Sequence, residues 1–421
     1  MTTATDRVRQ RAAQQPPWES DDVLRGVRQD LARLPPLTDA AACRRLLHDL
    51  ARAARGSAFV LQGGDCAEPF ADSAPDRISA KAAHLAALAD RLETRAGLPV
   101  VRVGRFAGQY AKPRSQDVET SDDGVVLPVY RGDAVNRPEA APAARRPDPL
   151  RLRSAYDHAA ACLDTLLVGG HLVEGHLVEG RLVEGHPAHG PADRAPSPVY
   201  TSHEALLVDY EEPLVRPDRT DPHTGGRYGS SAHMLWIGER TRRPDGWHVR
   251  FAETVNNPVG VKLGPGATPQ DVRELCERLA DGRPAGRLSL ITRLGAADTA
   301  RLLPPLVDAA AAFSGRVVWL CDPMHGNTVR HGSGRKTRVL ADVEREVRDF
   351  FAVLRAHGAH PGGLHLEMTP DDVTECVDRP ADLTAGALPR YLTACDPRLG
   401  PGQADRLITV TAGLLERKDV L

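Results

Sequence analysis

The sequence predicts an α/β protein, a (β/α)8 TIM barrel preceded by an N-terminal helical arm. Two observations predict this fold. Eight short apolar segments are separated by spacers long enough for helices, and eight is the strand number of this barrel. Each segment also ends on polar or charged residues, as expected where parallel strands bring side chains to one face of a barrel.

The predicted strands follow one another along the whole chain. They are Ala58 to Leu61, Val100 to Val103, Val199-Tyr200, Met234 to Ile237, Val259 to Val261, Leu288 to Ile291, Val317 to Leu320 and Leu364 to Leu366. The seventh is the most informative, because it leads directly into Cys321-Asp322-Pro323-Met324-His325-Gly326-Asn327-Thr328. Metal-binding and hydrogen-bonding side chains at a strand end predict an enzyme.

The segments outside the strands predict one catalytic domain with two additions. Residues 1–50 form the arm, whose helix from Asp21 to Leu34 ends at Pro35-Pro36. Such arms serve assembly, so we expect a homodimer. Residues 51–421 form the barrel, with a helix from about Leu150 to Val168 and a low-complexity insert at about 168–197.

The insert contains a repeat of five residues, from His171 to Gly185. A period of five fits neither a helix nor a strand. The repeat is either a histidine-rich metal-binding tract or a solvated spacer, and we favour the spacer.

Composition excludes several classes of function. The 54 basic residues nearly balance the 56 acidic ones, so nothing indicates binding to nucleic acid or to an anionic membrane. Met1 to Gln14 has no apolar core of signal-peptide length, and no long apolar run follows, so we expect a cytoplasmic protein. The seven cysteines show no CxxC spacing and are expected to be reduced thiols.

Lysine is rare in this arginine-rich chain. Its lysines are Lys81, Lys112, Lys262, Lys336 and Lys418. Three of them, at 112, 262 and 336, fall in segments at or beyond strand ends. A compact ammonium group cannot be replaced by a guanidinium where it contacts a reacting atom or a phosphate in a tight space. We therefore interpret these three as functional, with chance survival as the alternative.

Two sets of side chains are expected to meet at the barrel mouth. Cys66, His325, Glu367 and Asp396 combine a thiolate, an imidazole and two carboxylates, which suit Mn, Fe, Co or Zn better than Mg. Taken singly, Cys66 also fits a buried thiol and Asp396 a turn cap. The second set is cationic and predicts phosphate or carboxylate ligands: Arg105, Lys112, Arg114, Arg240, Lys262 and Arg293.

Six motifs make the chain resemble a known family. They are Gln62-Gly63-Gly64-Asp65-Cys66-Ala67-Glu68, Ala107-Gly108-Gln109-Tyr110-Ala111-Lys112-Pro113-Arg114-Ser115, Trp236-Ile237-Gly238-Glu239-Arg240-Thr241-Arg242, Asn257 to Pro265, Cys321 to Thr328, and Cys395-Asp396-Pro397-Arg398-Leu399. From about Gln14 to Leu415 the chain resembles the type II (plant-like) 3-deoxy-D-arabino-heptulosonate 7-phosphate (DAHP) synthases. The resemblance implies condensation of phosphoenolpyruvate with erythrose 4-phosphate, the first step of the shikimate pathway.

The resemblance also implies a role for each site residue. Cys66, His325, Glu367 and Asp396 would bind a divalent metal, with Mn or Co expected and Zn or Fe as alternatives. Arg105 would bind the phosphoenolpyruvate carboxylate; Arg240, Lys262 and Arg293 its phosphate, with Glu239 alongside. Lys112 would lie between the reacting ends, Arg114 and Ser115 would reach the phosphate of the aldose, and Lys336 would join the substrate-binding set. Lys112, Arg105 and Glu239 are the expected catalytic residues.

Departures from the family bear on regulation and on the acceptor sugar. Longer members carry an extra helical pair between the second and third strands, where this chain has the five-residue repeat. We therefore expect an enzyme without feedback inhibition that serves secondary metabolism. The alternatives are an amino-DAHP synthase of an aminoshikimate pathway and a catalytically silent regulatory homologue.

Overall fold

A computed structural model describes residues 12–120, 124–172, 198–219 and 226–416, with the backbone of Leu177–Val178 and Arg181–Leu182. Its centre is a closed barrel of eight parallel strands, each paired with the strands before and after it in the chain. The strands are β1 Phe59–Gly64, β2 Val100–Arg105, β3 Val199–Glu204, β4 Met234–Ile237, β5 Val259–Leu263, β6 Leu288–Thr292, β7 Val318–Cys321 and β8 Pro361–Glu367. The predicted (β/α)8 TIM barrel and its eight strands are confirmed.

Several strands extend further than the apolar pattern predicts. Gly64 at the end of β1 pairs with Arg105 of β2 and with Glu367 of β8, so the hydrogen-bonded ladder includes polar residues. Burial on both faces is normal for parallel strands, because helices cover one face and interior side chains the other. As a result, Arg105 and Glu367 project from the rigid barrel wall rather than from loops.

A helix follows every barrel strand, and among the described residues two more precede β1. They are α1 Asp21–Arg33, α2 Ala40–Ala54, α3 Pro75–Ala96, α4 Leu150–Val168, α5 Val208–Glu211, α6 Trp247–Thr254, α7 Pro269–Leu279, α8 Thr299–Ala309, α9 Leu340–Ala356 and α10 Pro401–Glu416. Caps define their starts: the Ser20 side chain accepts from Val23 N before α1, and Thr268 and Asp271 form a capping box at α7. None of the described helices is both long enough and apolar enough to cross a bilayer.

Helix α2 closes the amino end of the barrel. Its Leu46 and Leu50 pack in one cluster with Val60, Val103 and Leu320 of the barrel strands. The loop before β6 approaches the same helix at Gly286, whose φ of +82° and close contact with the α2 backbone leave no room for a side chain. The carboxyl ends of the strands remain open for a site.

Antiparallel hairpins lie at both ends of the barrel. Those after β2 and β7 lie at the open end, whereas the one after β3 lies against α2, where Arg44 pairs with Asp218 and Tyr228 packs on Ala40 and Cys43. Val118–Thr120 pairs with Val126–Pro128, Val215–Pro217 with Arg227–Gly229, and Thr328–Arg330 with Lys336–Arg338. In the five-residue repeat, Leu177–Val178 pairs with Arg181–Leu182, so part of it forms a short ladder although its period predicts no strand. The remainder of 173–197 lies outside the described residues.

Candidate active site at the carboxyl end of the barrel

A cavity of about 230 Å³ lies at the carboxyl ends of the strands. Every residue predicted for the site lines it, except Glu367, which is fully buried. The lining residues are Cys66, Arg105, Gln109, Lys112, Pro113, Arg114, Ser115, Glu204, Trp236, Gly238, Glu239, Arg240, Lys262, Arg293, His325, Thr328, Lys336 and Asp396. The fold therefore gathers side chains that lie up to 330 residues apart in the sequence.

Four of the predicted residues form a cluster that can hold a metal ion. Cys66, His325, Glu367 and Asp396 each offer one ligand atom, and these atoms all lie within 4.8 Å of one another. They come from the end of β1, the loop after β7, the end of β8 and the segment that follows β8. One sulfur, one imidazole nitrogen and two carboxylates fit a divalent transition metal.

Cationic groups lie directly against this cluster. Lys112 Nζ is 2.8 Å from Cys66 Sγ and 2.6 Å from Asp396 Oδ2, and Lys336 Nζ is 2.8 Å from Asp396 Oδ1. Although burial raises the pKa of Asp396, the charges of Lys112, Arg338 and Lys336 hold it well below its usual range. Asp396 is therefore ionised and available as a ligand.

Arg338 holds the second carboxylate of the cluster. Its Nη2 lies 2.7 Å from Glu367 Oε2, and both side chains are fully buried. Burial alone raises the pKa of Glu367, but His325, Arg338 and Arg105 keep it well below the ordinary value. Arg338 was absent from the predicted site. It lies in a hairpin strand after β7, and nothing in the sequence there indicates a contact with Glu367.

Asp322 orients the histidine of the cluster. Its Oδ2 lies 2.8 Å from His325 Nδ1, and its Oδ1 accepts from the backbone N–H of Met324 and of His325. With Nδ1–H donated to Asp322, the other ring nitrogen of His325 faces the cluster, 2.9 Å from Glu367 Oε1. A carboxylate behind a metal-binding histidine fixes the tautomer in this way. The sequence analysis quoted Asp322 but assigned it no role.

The same carboxylate connects the cluster to the cationic wall of the cavity. Lys262 Nζ at the end of β5 lies 2.9 Å from Asp322 Oδ2. Arg293, which follows β6, donates from Nη2 to the carbonyl oxygen of His325 at 2.8 Å. Glu239 accepts from the backbone N–H of Gly264 and so fixes the loop after β5. Lys262 and Arg293 thus line the cavity beside the metal cluster.

A buried glutamate supports the loop that carries Lys112, Arg114 and Ser115. Glu68 accepts hydrogen bonds from the backbone N–H groups of Ala107, Gly108 and Gln109. Ala107 has a φ of +63°, a conformation that costs a non-glycine residue about 1 kcal/mol or more. The hydrogen bonds to Glu68 offset this strain and hold the loop over the cavity.

The cavity also contains residues that the sequence analysis missed. Glu204 ends β3, and its Oε1 is buried without a hydrogen-bond partner in the described part of the chain. Burial raises the pKa of this carboxyl group. The ring of Trp236 lies 5.3 Å from the Arg105 guanidinium and 5.8 Å from Lys262 Nζ. The position of Glu204 at a predicted strand end was a usable signal, whereas Trp236 looked like an ordinary core residue.

A closed barrel with a four-ligand cluster beside a cationic wall defines a class of enzyme that combines a metal with phosphorylated substrates. Comparison with known proteins places the chain within that class. Residues 3–174 and 189–412 match the Class-II DAHP synthetase family.

Similar proteins agree with this assignment. The chain is 43% identical to the phospho-2-dehydro-3-deoxyheptonate aldolase of Streptomyces coelicolor, over 93% of both chains. It is 42% identical to the AroG aldolase of the same description from Mycolicibacterium smegmatis, over 98% of this chain and 96% of that one. A solved phospho-2-dehydro-3-deoxyheptonate aldolase from Francisella tularensis shares the fold, with a TM-score of 0.52 and 12% identity over 94% of this chain and 97% of that chain. The chain belongs to the Class-II DAHP synthetase family.

Proposed function

We propose that this chain is a DAHP synthase that condenses phosphoenolpyruvate with erythrose 4-phosphate and releases inorganic phosphate. Family membership supports this reaction. One observation of the site carries the proposal: a single cavity contains both a four-ligand cluster and a wall of arginines and lysines. Such a wall suits two phosphorylated substrates, because fixed cations offset the charge of bound phosphate and carboxylate groups.

The cluster is proposed to hold Mn or Co, with Zn or Fe as alternatives. Cys66, His325, Glu367 and Asp396 supply the ligands. When bound, the metal supplies a Lewis acid that polarises the aldehyde of the acceptor. Asp322 keeps His325 oriented for this ligand set, and Arg338 does the same for Glu367.

The cationic wall is proposed to bind phosphoenolpyruvate. Arg105 binds its carboxylate, and Arg240, Lys262 and Arg293 bind its phosphate. Planar guanidinium groups match the oxygens of both groups. Glu239 lies alongside and keeps the loop after β5 in place through Gly264 N. Held in this way, the methylene carbon of phosphoenolpyruvate faces the metal cluster.

The opposite side of the cavity is proposed to bind the acceptor sugar. Arg114 and Ser115 reach its phosphate, and Lys336 stands beside them at the cavity wall. Lys112 is proposed to lie between the two substrates, beside the metal cluster, where its Nζ contacts both Cys66 and Asp396. An ammonium in this position offsets the negative charge that develops on the aldehyde oxygen as the new bond forms.

The reaction requires one new carbon–carbon bond and one water molecule. The methylene carbon of phosphoenolpyruvate attacks the aldehyde carbon, water adds to the neighbouring carbon, and the bond from that carbon to the phosphate oxygen breaks. We assign Glu204 to the water, because its buried carboxylate faces the cavity and one of its oxygens lacks a partner in the described part of the chain. A raised pKa suits a carboxylate that accepts a proton.

The acceptor and the role in metabolism are further proposals. Erythrose 4-phosphate is the proposed acceptor and its amino analogue the alternative. Arg335, the neighbour of Lys336 in the chain, has its guanidinium 4.8 Å from the centre of the Tyr391 ring. We also propose a homodimer, without inhibition by aromatic amino acids, that serves secondary metabolism. Light scattering would measure the oligomeric state.

Purified enzyme tests the activity directly. Metal-loaded protein is supplied with phosphoenolpyruvate and each acceptor in turn, and both phosphate and the sugar product are measured. We expect turnover with erythrose 4-phosphate and loss of most of it in Arg293→Ala. Arg301→Ala is the matched control, because Arg301 is an exposed arginine of α8 paired with Asp298. Metal binding without phosphate release would instead indicate a catalytically silent homologue.

A further inference from the structure

A chain of buried side chains crosses the barrel interior behind Arg105. Its members are Arg105 of β2, His365 of β8, Gln62 of β1 and Ser202 of β3, which lie on four adjacent strands. Arg105 Nη1 is 2.7 Å from His365 Nε2, and His365 Nδ1 is 2.7 Å from Gln62 Oε1. Gln62 Nε2 donates to Ser202 Oγ at 2.9 Å, and Ser202 donates to the carbonyl oxygen of Gly104 at 2.9 Å.

The direction of every hydrogen bond follows from the arginine end. A guanidinium only donates, so His365 Nε2 must accept and carries no hydrogen. The ring hydrogen then lies on Nδ1 and is donated to Gln62 Oε1. This orientation of the amide leaves Gln62 Nε2 to donate to Ser202.

The opposite end gives the same answer independently. A backbone carbonyl only accepts, so the Ser202 hydroxyl donates to Gly104 and must accept from Gln62. The Gln62 amide therefore presents its oxygen to His365, which donates from Nδ1. Two ends with fixed polarity thus specify a single tautomer of His365.

We propose that His365 is a positioning residue that orients the Arg105 guanidinium for its ligand. Arg105 also donates to Glu367 Oε1 at 3.2 Å, and its guanidinium lies over Trp236. These three contacts hold one edge and one face of the guanidinium, and Arg105 still lines the cavity. The inference rests on the proposed function in one respect, that Arg105 binds the phosphoenolpyruvate carboxylate.

A preset orientation matters because a two-pronged contact with a carboxylate requires the guanidinium to lie in one plane. A histidine acceptor suits this task better than a second carboxylate would. It fixes the plane without neutralising the charge that the substrate needs. The register explains the placement, because Gln62 pairs directly with His365 across β1 and β8.

Two variants of His365 separate positioning from simple packing. His365→Gln keeps an acceptor for Arg105 and a donor for Gln62, whereas His365→Leu keeps volume and loses both. We expect His365→Leu to raise the KM for phosphoenolpyruvate about 10- to 100-fold, the usual cost of a lost buried hydrogen bond to a charge, with a smaller change in kcat. His365→Gln should stay within about 3-fold of wild type.

The control is His248→Leu. His248 is a buried histidine of α6 whose Nε2 lies 3.1 Å from the backbone carbonyl oxygen of Leu206, away from the cavity-lining residues. Its loss should lower thermal stability and leave the KM unchanged. A stably folded His365→Leu enzyme with wild-type KM would overturn the proposal.

A spectroscopic test does not depend on catalysis. Protein labelled with ¹⁵N-histidine gives separate ring-nitrogen signals for the two tautomers, and the signal missing in His365→Gln identifies His365. We expect a hydrogen on Nδ1 and none on Nε2, and a hydrogen on Nε2 alone would refute the proposed chain. If wild-type protein fails to bind phosphoenolpyruvate, the proposed function is wrong, while this spectrum still decides whether His365 accepts from Arg105.

Discussion

Replacing Asp322 by Asn tests whether the metal cluster and the cationic wall share one carboxylate. Asp322 is fully buried, and its Oδ2 lies 2.9 Å from Lys262 Nζ and 2.8 Å from His325 Nδ1. Its Oδ1 accepts from two backbone N–H groups. In the variant the amide oxygen keeps these backbone contacts, so the amide nitrogen must face Lys262 and His325, both of which are donors.

The size of the effect follows from that conflict. His325 can accept from the new amide only by losing hydrogen from Nδ1 and carrying it on Nε2, the nitrogen that the metal needs. Loss of a carboxylate behind a metal-binding histidine typically costs about 10- to 100-fold in metal affinity or activity. This corresponds to about 1.4 to 2.8 kcal/mol of binding free energy. Although burial alone raises its pKa, the charges of His325 and Lys262 hold Asp322 well below the usual range, so a charged group is lost at neutral pH.

The assay is titration of metal-free enzyme with Mn or Co by calorimetry, with circular dichroism to confirm folding. Asp342→Asn is the control, because Asp342 is a partly exposed carboxylate of α9 paired with Arg345. We expect weaker metal binding in Asp322→Asn alone. A folded Asp322→Asn protein that binds metal as tightly as wild type would refute the role assigned to Asp322.

Four further predictions concern the metal, the lysine between the substrates, regulation and oxidation. Chelation should abolish activity, and added Mn or Co should restore it. Metal affinity should rise with pH, because burial raises the pKa of the Cys66 thiol and the metal binds the thiolate. Activity after complete metal removal, or in His325→Ala, would contradict the proposed cluster. Lys112→Arg keeps the positive charge but should lower kcat by about 100-fold, because a guanidinium cannot occupy the space between Cys66 and Asp396 without displacing a reacting group. Near-normal turnover would show that a positive charge alone suffices at this position. Phenylalanine, tyrosine and tryptophan should leave the rate unchanged, as should deletion of His176–Gly180, because an insert of Leu-Val-Glu-Gly units is not expected to form the packed apolar pocket that an aromatic ligand requires. Inhibition by any of the three amino acids would indicate a second site. Mild oxidation should inactivate the enzyme, and Cys395→Ser should resist it, because the neighbouring Cys66 side chain lowers the pKa of the Cys395 thiol to about 7 and so favours the reactive thiolate. Equal loss in both proteins would exclude this pair.

The barrel could be predicted because each strand carries its own apolar signal. The segment from Val317 to Leu320 is continuously apolar, and all four of its residues are buried in the structure. The local sequence pattern therefore agrees with the position of this strand in the fold. The meeting of the four potential metal ligands could be predicted for a related reason. Cys66, His325 and Glu367 stand at or just beyond strand ends, and the geometry of a parallel barrel brings strand ends together.

The hydrogen-bond chain behind Arg105 could not be predicted in this way. Gln62 and His365 lie within strands, where the sequence does not say which side chains face the barrel interior. Their contact depends on the register between β1 and β8, the first and last strands of the barrel. Asp322 was missed for a different reason, since an aspartate after a strand is equally consistent with a turn.

The contacts of the lysines explain why they persist in a chain so rich in arginine. Each lysine within the described residues forms an ion pair with an aspartate near the carboxyl end of the barrel: Lys81 with Asp65 at 2.6 Å, Lys112 and Lys336 with Asp396 at 2.6 and 2.8 Å, and Lys262 with Asp322 at 2.9 Å. Asp396 belongs to the cluster, Asp65 precedes Cys66 and Asp322 contacts His325, so all four of these ion pairs include or adjoin a cluster residue. An ammonium donates in any direction from one point, and it can contact a carboxylate while leaving the neighbouring ligand accessible. A guanidinium would extend further, and its flat fork would need more room than a single ammonium group. Lysine at these positions therefore suits the placing of one positive charge close to a carboxylate in a tight space, as Lys112 and Lys336 do on the two oxygens of Asp396.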